Sequence, residues 1–193
     1  MLSMVRYIQN MSKLQGFIIY NALSFQCVWW SSILWGNGVL LLNIPLLLIH
    51  FMLLALVENR QAVIRDFSTM VKVGLLGIVI DALLTLLGVF EFTALPWWLA
   101  CLWLHFALSL HHSLIFMRAL PIILQVILGG VFGSLSYIAG AQFNAVILPF
   151  GETVSVLILA VVWAILLPLF IKISRSDRQI RRYGLETHHL CDR

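Results

Sequence analysis

VKVGLLGIVIDALLTLLGVF, residues 71–90, carries a single acid, Asp81, nine positions from Lys72 and nine from Phe90. About 20 mostly apolar residues in a helix cross about 30 Å of hydrocarbon. The stretch therefore reads as a membrane-spanning helix with a carboxylate at mid-depth. A central Asp costs about 2.5–3.5 kcal/mol to insert, so Asp81 is expected to face the inside of a bundle and to have a partner there.

Five more stretches have the same character: Phe17–Trp35, Val39–Val57, Leu95–Leu114, Leu120–Gly140 and Thr153–Ile173. Of 193 residues, 62% are hydrophobic and 10% charged, too few charges to cover a soluble surface, which needs about 25%. The segments are too long and too uniformly apolar for barrel strands. The fold class expected is all-α, a polytopic membrane helical bundle of six transmembrane helices. Residues 1–16 form a cytoplasmic N-terminal segment, 17–173 the transmembrane domain and 174–193 a basic cytoplasmic tail. The first apolar run exceeds a signal-peptide core and lacks a cleavage site, so it is read as an uncleaved helix.

With six spans, Arg6, Lys13, Arg60, Arg65, Lys72, Arg118 and the tail from Lys172 all fall on one side, which accounts for all twelve basic residues. The positive-inside rule then puts both termini in the cytoplasm, N-in/C-in. Trp29, Trp30, Trp35, Trp97 and Trp98 gather towards the opposite interface. A polar loop is expected over Glu58–Met70 and a short link over Glu91–Ala94. The net charge of +4 is explained by orientation, so no nucleic acid is expected as a partner.

Three spans carry small or polar residues at helical spacing. These are Gly74, Gly77, Asp81, Thr85 and Gly88; Trp98, Cys101, His105, Ser109 and His112; and Gln125, Gly129, Gly133, Ser136 and Gly140. Each set forms a stripe at 3.6 residues per turn, and the glycines with Ser136 permit close helix packing. His111 falls off its stripe. The candidate intramembrane polar site comprises Asp81, His105, Ser109, His112, Thr85, Gln26 and Asn21, with Asp81 and His105 meeting at mid-depth. His50 and Asn43 extend the polar interior. Pro45 and Pro168 are expected to bend their helices.

Neither a metal site nor a cofactor is expected. The histidines are too few for di-iron boxes, and there is no H-E-x-x-H, G-x-S-x-G or Walker A pattern. His188, His189 and Cys191 stand together without further ligands.

The motifs Asn21-Ala-Leu-x-Phe-Gln-x-x-Trp-Trp30, Asp81-x-Leu-Leu-x-x-x-Gly-Val-x-x-Phe92 and Pro96-x-Trp-Leu-x-x-Leu-Trp-x-x-Phe-Ala107 occur together. His112-Ser-Leu114, Gly129-Gly-x-x-Gly-x-x-x-Tyr-x-Ala-Gly140 and Trp163-x-x-x-Leu-Pro168 continue the series. Over about residues 17–172 the chain resembles a family of small bacterial inner-membrane proteins described only as a domain of unknown function. The resemblance implies a multi-pass protein of the bacterial cell inner membrane and supplies no activity. Three functions are weighed. A small transporter or permease would bind or relay a proton at Asp81 and His105. An assembly or accessory membrane subunit would use the stripes only to pack helices, to dock other subunits or to form a homo-oligomer. An intramembrane lipid-modifying enzyme would place His112 and Ser113 near the inner leaflet, with His105 as acid or base. Transport is ranked first and enzyme last; the lipid bilayer is the one partner common to all three.

Overall fold

The computed structural model describes residues 2–92 and 96–191, with the side chains of 11–92 and 96–176. Arg6, the basic side chains from Arg178 onward and the side chains of His188–Cys191 lie outside the described side chains. The chain is all-helical. α1 (Leu2–Trp35) turns through a 3-10 segment, Gly36–Val39, into α2 (Leu40–Val57). α3 (Arg60–Leu86), α4 (Trp97–Ser109) and a 3-10 turn at Ile115–Ala119 follow. α5 (Ile122–Leu128) continues through a π-helical turn, Gly129–Gly133, into α6 (Ser134–Gln142), and α7 (Gly151–Cys191) closes the order.

Local chemistry sets the breaks. Gly36 takes φ +55° at the α1–α2 reversal, where a side chain would be strained. The expected polar loop at Glu58–Met70 is corrected to two residues. The Asn59 side chain accepts from the Ala62 amide at 3.0 Å, and this N-cap starts α3 at Arg60. Gly88, at φ +71°, ends the helix: the Gly88 amide donates to Thr85 and the Val89 amide to Leu84. That is a Schellman cap, so Gly88 terminates α3 instead of packing helices. The link to α4 is accordingly ten residues, 87–96, and not the four expected. Within it Glu91 and Ile147 exchange backbone hydrogen bonds of 2.9 and 3.2 Å, tying the links that follow α3 and α6.

α3, α4 and α7 pack around Met70, Val73, Trp103, Leu108, Leu167 and Phe170. A second cluster joins Leu84, Phe90, Tyr137, Val146 and Leu159, and a third joins Phe17, Leu54 and Ala62. Glycine sets how close the helices come. A Cβ on Gly77 would lie 2.1 Å from the Trp103 indole, and one on Gly133 would lie 2.1 Å from the Trp163 indole. Trp103 and Trp163 stack on each other, centroids 5.3 Å apart and 10° from parallel. Two indoles are thus clamped between two glycines of different elements. A Cβ on Gly129 would lie 2.4 Å from the Trp163 carbonyl and one on Gly74 2.8 Å from Leu104, whereas Gly140 makes only ordinary contact with Val146.

The exterior is apolar: Leu41, Leu48, Leu86, Leu157, Val161 and Ile165 all stand exposed. Met11–Val57, Arg60–Leu86, Ile122–Gln142 and Gly151–Ser176 are long and apolar enough to cross a membrane, and Trp97–Ser109 is a shorter apolar helix. Neither indole can retreat from the other, so the glycine contacts should be intolerant of added volume. Gly77→Ala and Gly133→Ala should each cost about 3 kcal/mol, the upper end for overpacking. Gly16→Ala, with nothing within 4 Å of its added Cβ, should cost nothing and gain up to about 1 kcal/mol from the better helix former. Denaturant unfolding in detergent checks all three.

Candidate functional site

Asp81 is 4% exposed. Its Oδ2 accepts from Trp103 Nε1 and its Oδ1 from Tyr137 Oη, both at 2.6 Å. A carboxylate in an apolar interior is tolerable only when each oxygen has a donor, and here one comes from α4 and one from α6.

His105 is not that partner, and the expected Asp81–His105 unit is corrected. Leu104 lies against Gly74 and Trp103 against Gly77, so His105 is level with Gly74. That is seven residues, roughly 10 Å along α3, from Asp81. Because α3 starts at Arg60, its centre is Val73, and Asp81 sits towards its C-terminal end and not at mid-helix. His105 is buried beside the Asn43 backbone. Its Nε2 and both polar atoms of the Asn43 side chain are buried without a hydrogen-bond partner.

The richest cluster lies at the other end of α3, around a residue the sequence reading passed over. Asp66, fully buried, follows from the early start of the helix. His112 Nε2 donates to Asp66 Oδ2 at 2.6 Å, and His50 Nε2 lies 3.3 Å from the same oxygen. Arg65 covers the other oxygen, with Nε at 2.9 Å and Nη2 at 2.8 Å from Oδ1. Its Nη1 stands 3.6 Å from Glu58. The Phe17 ring meets His112 edge-on at 4.7 Å and His50 at 5.1 Å. Phe17 also lines a groove of about 200 Å³ with Lys13, Gly16, Tyr20, Leu53 and Val57. One aromatic ring is therefore the shared wall between this groove and the two imidazoles.

His111, excluded by its position off the stripe, is buried as well. Arg118 Nη2 lies 2.8 Å from its Nδ1, and Thr69 Oγ1 lies 2.8 Å from its Nε2. An arginine can only donate, so the His111 proton sits on Nε2 and goes to Thr69. Arg118 also reaches the Leu110 carbonyl at 3.0 Å, while its own carbonyl accepts from Arg175. The chain after α4 is thereby pinned, which fixes His112 against Asp66.

The remaining candidates separate. Asn21 Oδ1 accepts from the Ser113 hydroxyl at 2.6 Å and the Ser113 amide at 3.2 Å, joining α1 to the same turn. Ser113 is therefore not directed at His112 as a nucleophile would be. Thr85, Ser109 and Ser136 give their hydroxyls to carbonyls of their own helices, at Asp81, Phe106 and Gly133. Gln26 is exposed on the outside of α1. Gln125 donates to the Met117 and Leu120 carbonyls and secures the turn before α5.

These features define an all-helical protein of membrane-spanning dimensions, with one carboxylate saturated in its core and another held among histidines and an arginine at one end. The chain belongs to the family described as a protein of unknown function (DUF2878), whose model matches residues 18–169. That agrees with the resemblance read over 17–172. No curated protein and no solved structure matches the chain.

The geometry predicts which residues are energetically coupled. Asp81→Asn combined with Tyr137→Phe should deviate from additivity by about 0.5–3 kcal/mol, because the two side chains share a hydrogen bond. Asp81→Asn combined with His105→Ala should add within about 0.5 kcal/mol. Double-mutant cycles on the detergent-solubilised protein measure both.

Proposed function

We propose that the protein is a small multi-pass permease of a bacterial inner membrane, with six spans, both termini cytoplasmic, and a cation station at His50–Asp66–His112. The observation that carries this reading is the contrast between successive buried polar levels. Asp66 is a charged centre between exchangeable imidazole donors. One level further in, the Asn43 amide and His105 Nε2 are buried without partners. A buried unsatisfied polar group costs about 1–3 kcal/mol, and water or a passing solute would relieve that cost. A charged site followed, about two helical turns along α3, by unfilled donors and acceptors suits a permease better than a static core.

The span count draws support from Met11–Val57, which folds back on itself at Gly36–Val39 and so supplies two passes. Orientation draws support from the bundle ends. Arg65 pairs with Glu58 and Arg175 with Arg118 at one; Asn37 accepts from the Trp98 amide, and Glu91 pairs with Ile147, at the other. The first end would face the cytoplasm.

The assembly reading has its own observation. Asp81 is saturated and the glycine–indole contacts are tight, as a static scaffold for a membrane complex or homo-oligomer requires. The enzyme reading is weakened by Ser113, which donates to Asn21.

A periplasm-active reporter fused after Asn37, Glu91 or Glu152 should give signal, and one fused after Gln61 or Arg193 should not; signal from the C-terminal fusion breaks the six-span model. For transport, purified protein in vesicles should move at least one member of a panel of mono- and divalent cations about tenfold faster than protein-free vesicles, and Asp66→Asn should abolish the flux. If no cation moves, the permease reading fails and the assembly reading replaces it.

A further inference from the structure

His50 from α2, Asp66 from α3 and His112 from the turn after α4 each bring one ligand atom within 4.8 Å of the others, and all three side chains are buried. We propose that these residues are the protein ligands of a divalent transition-metal ion of the zinc class. The inference rests on the permease reading for the ion's purpose, while its chemistry stands on the ligand geometry.

Two imidazoles and one carboxylate are donors that suit zinc and its neighbours and do not suit magnesium or calcium, which prefer oxygen alone. Bonds of about 2.0–2.1 Å in a tetrahedral site put ligand atoms about 3.3 Å apart. The His50–Asp66 separation is already 3.3 Å. The His112–Asp66 separation of 2.6 Å is that of a direct hydrogen bond and would open by about 0.7 Å as the ion enters. Each imidazole would present Nε2 as a lone pair, its proton moving to Nδ1, so both rings bind as neutral ligands.

The surroundings match what a metal site needs beyond its ligands. Arg65 occupies Asp66 Oδ1 at 2.8–2.9 Å, leaving Oδ2 for the ion and holding the carboxylate in orientation. Glu58, Arg65 and Asp66 together carry one net negative charge. A divalent ion is then held less tightly than in a structural site of several thiolates, as an exchanging ion requires. Three protein ligands leave a fourth tetrahedral position for an exchangeable group. Phe17 separates the imidazoles from the groove beside Lys13 and Tyr20, so rotation of one ring would connect ion and groove.

Equilibrium titration of the full chain in detergent with Zn²⁺, and with Co²⁺ for its visible absorption, tests the site. One equivalent should bind, with the absorption of tetrahedral cobalt. His50→Ala, His112→Ala and Asp66→Asn should each weaken zinc binding by about a hundredfold or more. Circular dichroism and a monodisperse elution profile identify any variant that has merely unfolded. His111→Ala, which removes a neighbouring imidazole that is not a ligand, and replacement of His188, His189 and Cys191 in the tail should both leave the one-equivalent site. Absence of binding, or binding that survives the ligand substitutions or vanishes with the tail residues, overturns the site. Metal binding without flux would sink the permease reading and keep the site. Cation flux from a protein that binds no zinc or cobalt would do the reverse.

Discussion

A carboxylate that must not be left bare organises this bundle. Asp81 brings an ionisable group into the contact between α3, α4 and α6, and its two oxygens demand two donors. Supplying them fixes Trp103 and Tyr137, and with them the rotation of α4 and α6 about their axes. Trp103 can reach Asp81 only if its indole crosses α3 at a residue without a side chain, which is Gly77. The same indole then stacks on Trp163, whose other side needs Gly133. The helix separations in the middle of the bundle thus follow from satisfying one ionisable group in an apolar medium.

Asp66 lives under a different regime at the far end of the same helix. Asp81 is met by an indole and a phenol, which hold their protons tightly and bind metals poorly. Asp66 is met by imidazoles, which can give up a proton or turn a lone pair outward, and by a guanidinium that cannot. One acid is finished chemically and the other stays open to exchange. Their separation, fifteen residues or roughly 22 Å along α3, is about three-quarters of a hydrocarbon layer of about 30 Å.

Much of this was legible in the residue pattern. The helical class, the stripes of Gly74–Gly77–Asp81 and Gly129–Gly133, and the need for a partner at Asp81 all follow from periodicity and from the cost of a buried charge. The partner's identity does not, because it depends on the register of α3 against α4, which an inferred four-residue link set wrongly. Asp66 was missed for a related reason: Arg60, Arg65 and Asp66 made the segment look like a loop. The signal that could have rescued it was present, since Asn59 is a good helix N-cap. Extending the stripe back from Gly77 through Val73 and Thr69 reaches Asp66. His111 shows a further limit, because it lies beyond the last turn of α4, where helical spacing no longer says which way a side chain points.

The π-helical turn at Gly129–Gly133 sets the phase of everything that follows it. Such a turn holds one residue more than an α-helix needs for the same rise, so the face presented by α6 is out of step with that of α5 by about 100°. Tyr137 points at Asp81 only because of that offset. A chain one residue shorter here could run as an unbroken helix and keep its phenol on the carboxylate, because the turn absorbs that one residue; straightening the turn at unchanged length would instead swing the phenol away by about 100°. The pitch of Gly129–Gly133, more than the number of residues between Gln125 and Tyr137, therefore decides which face of α6 meets the buried acid.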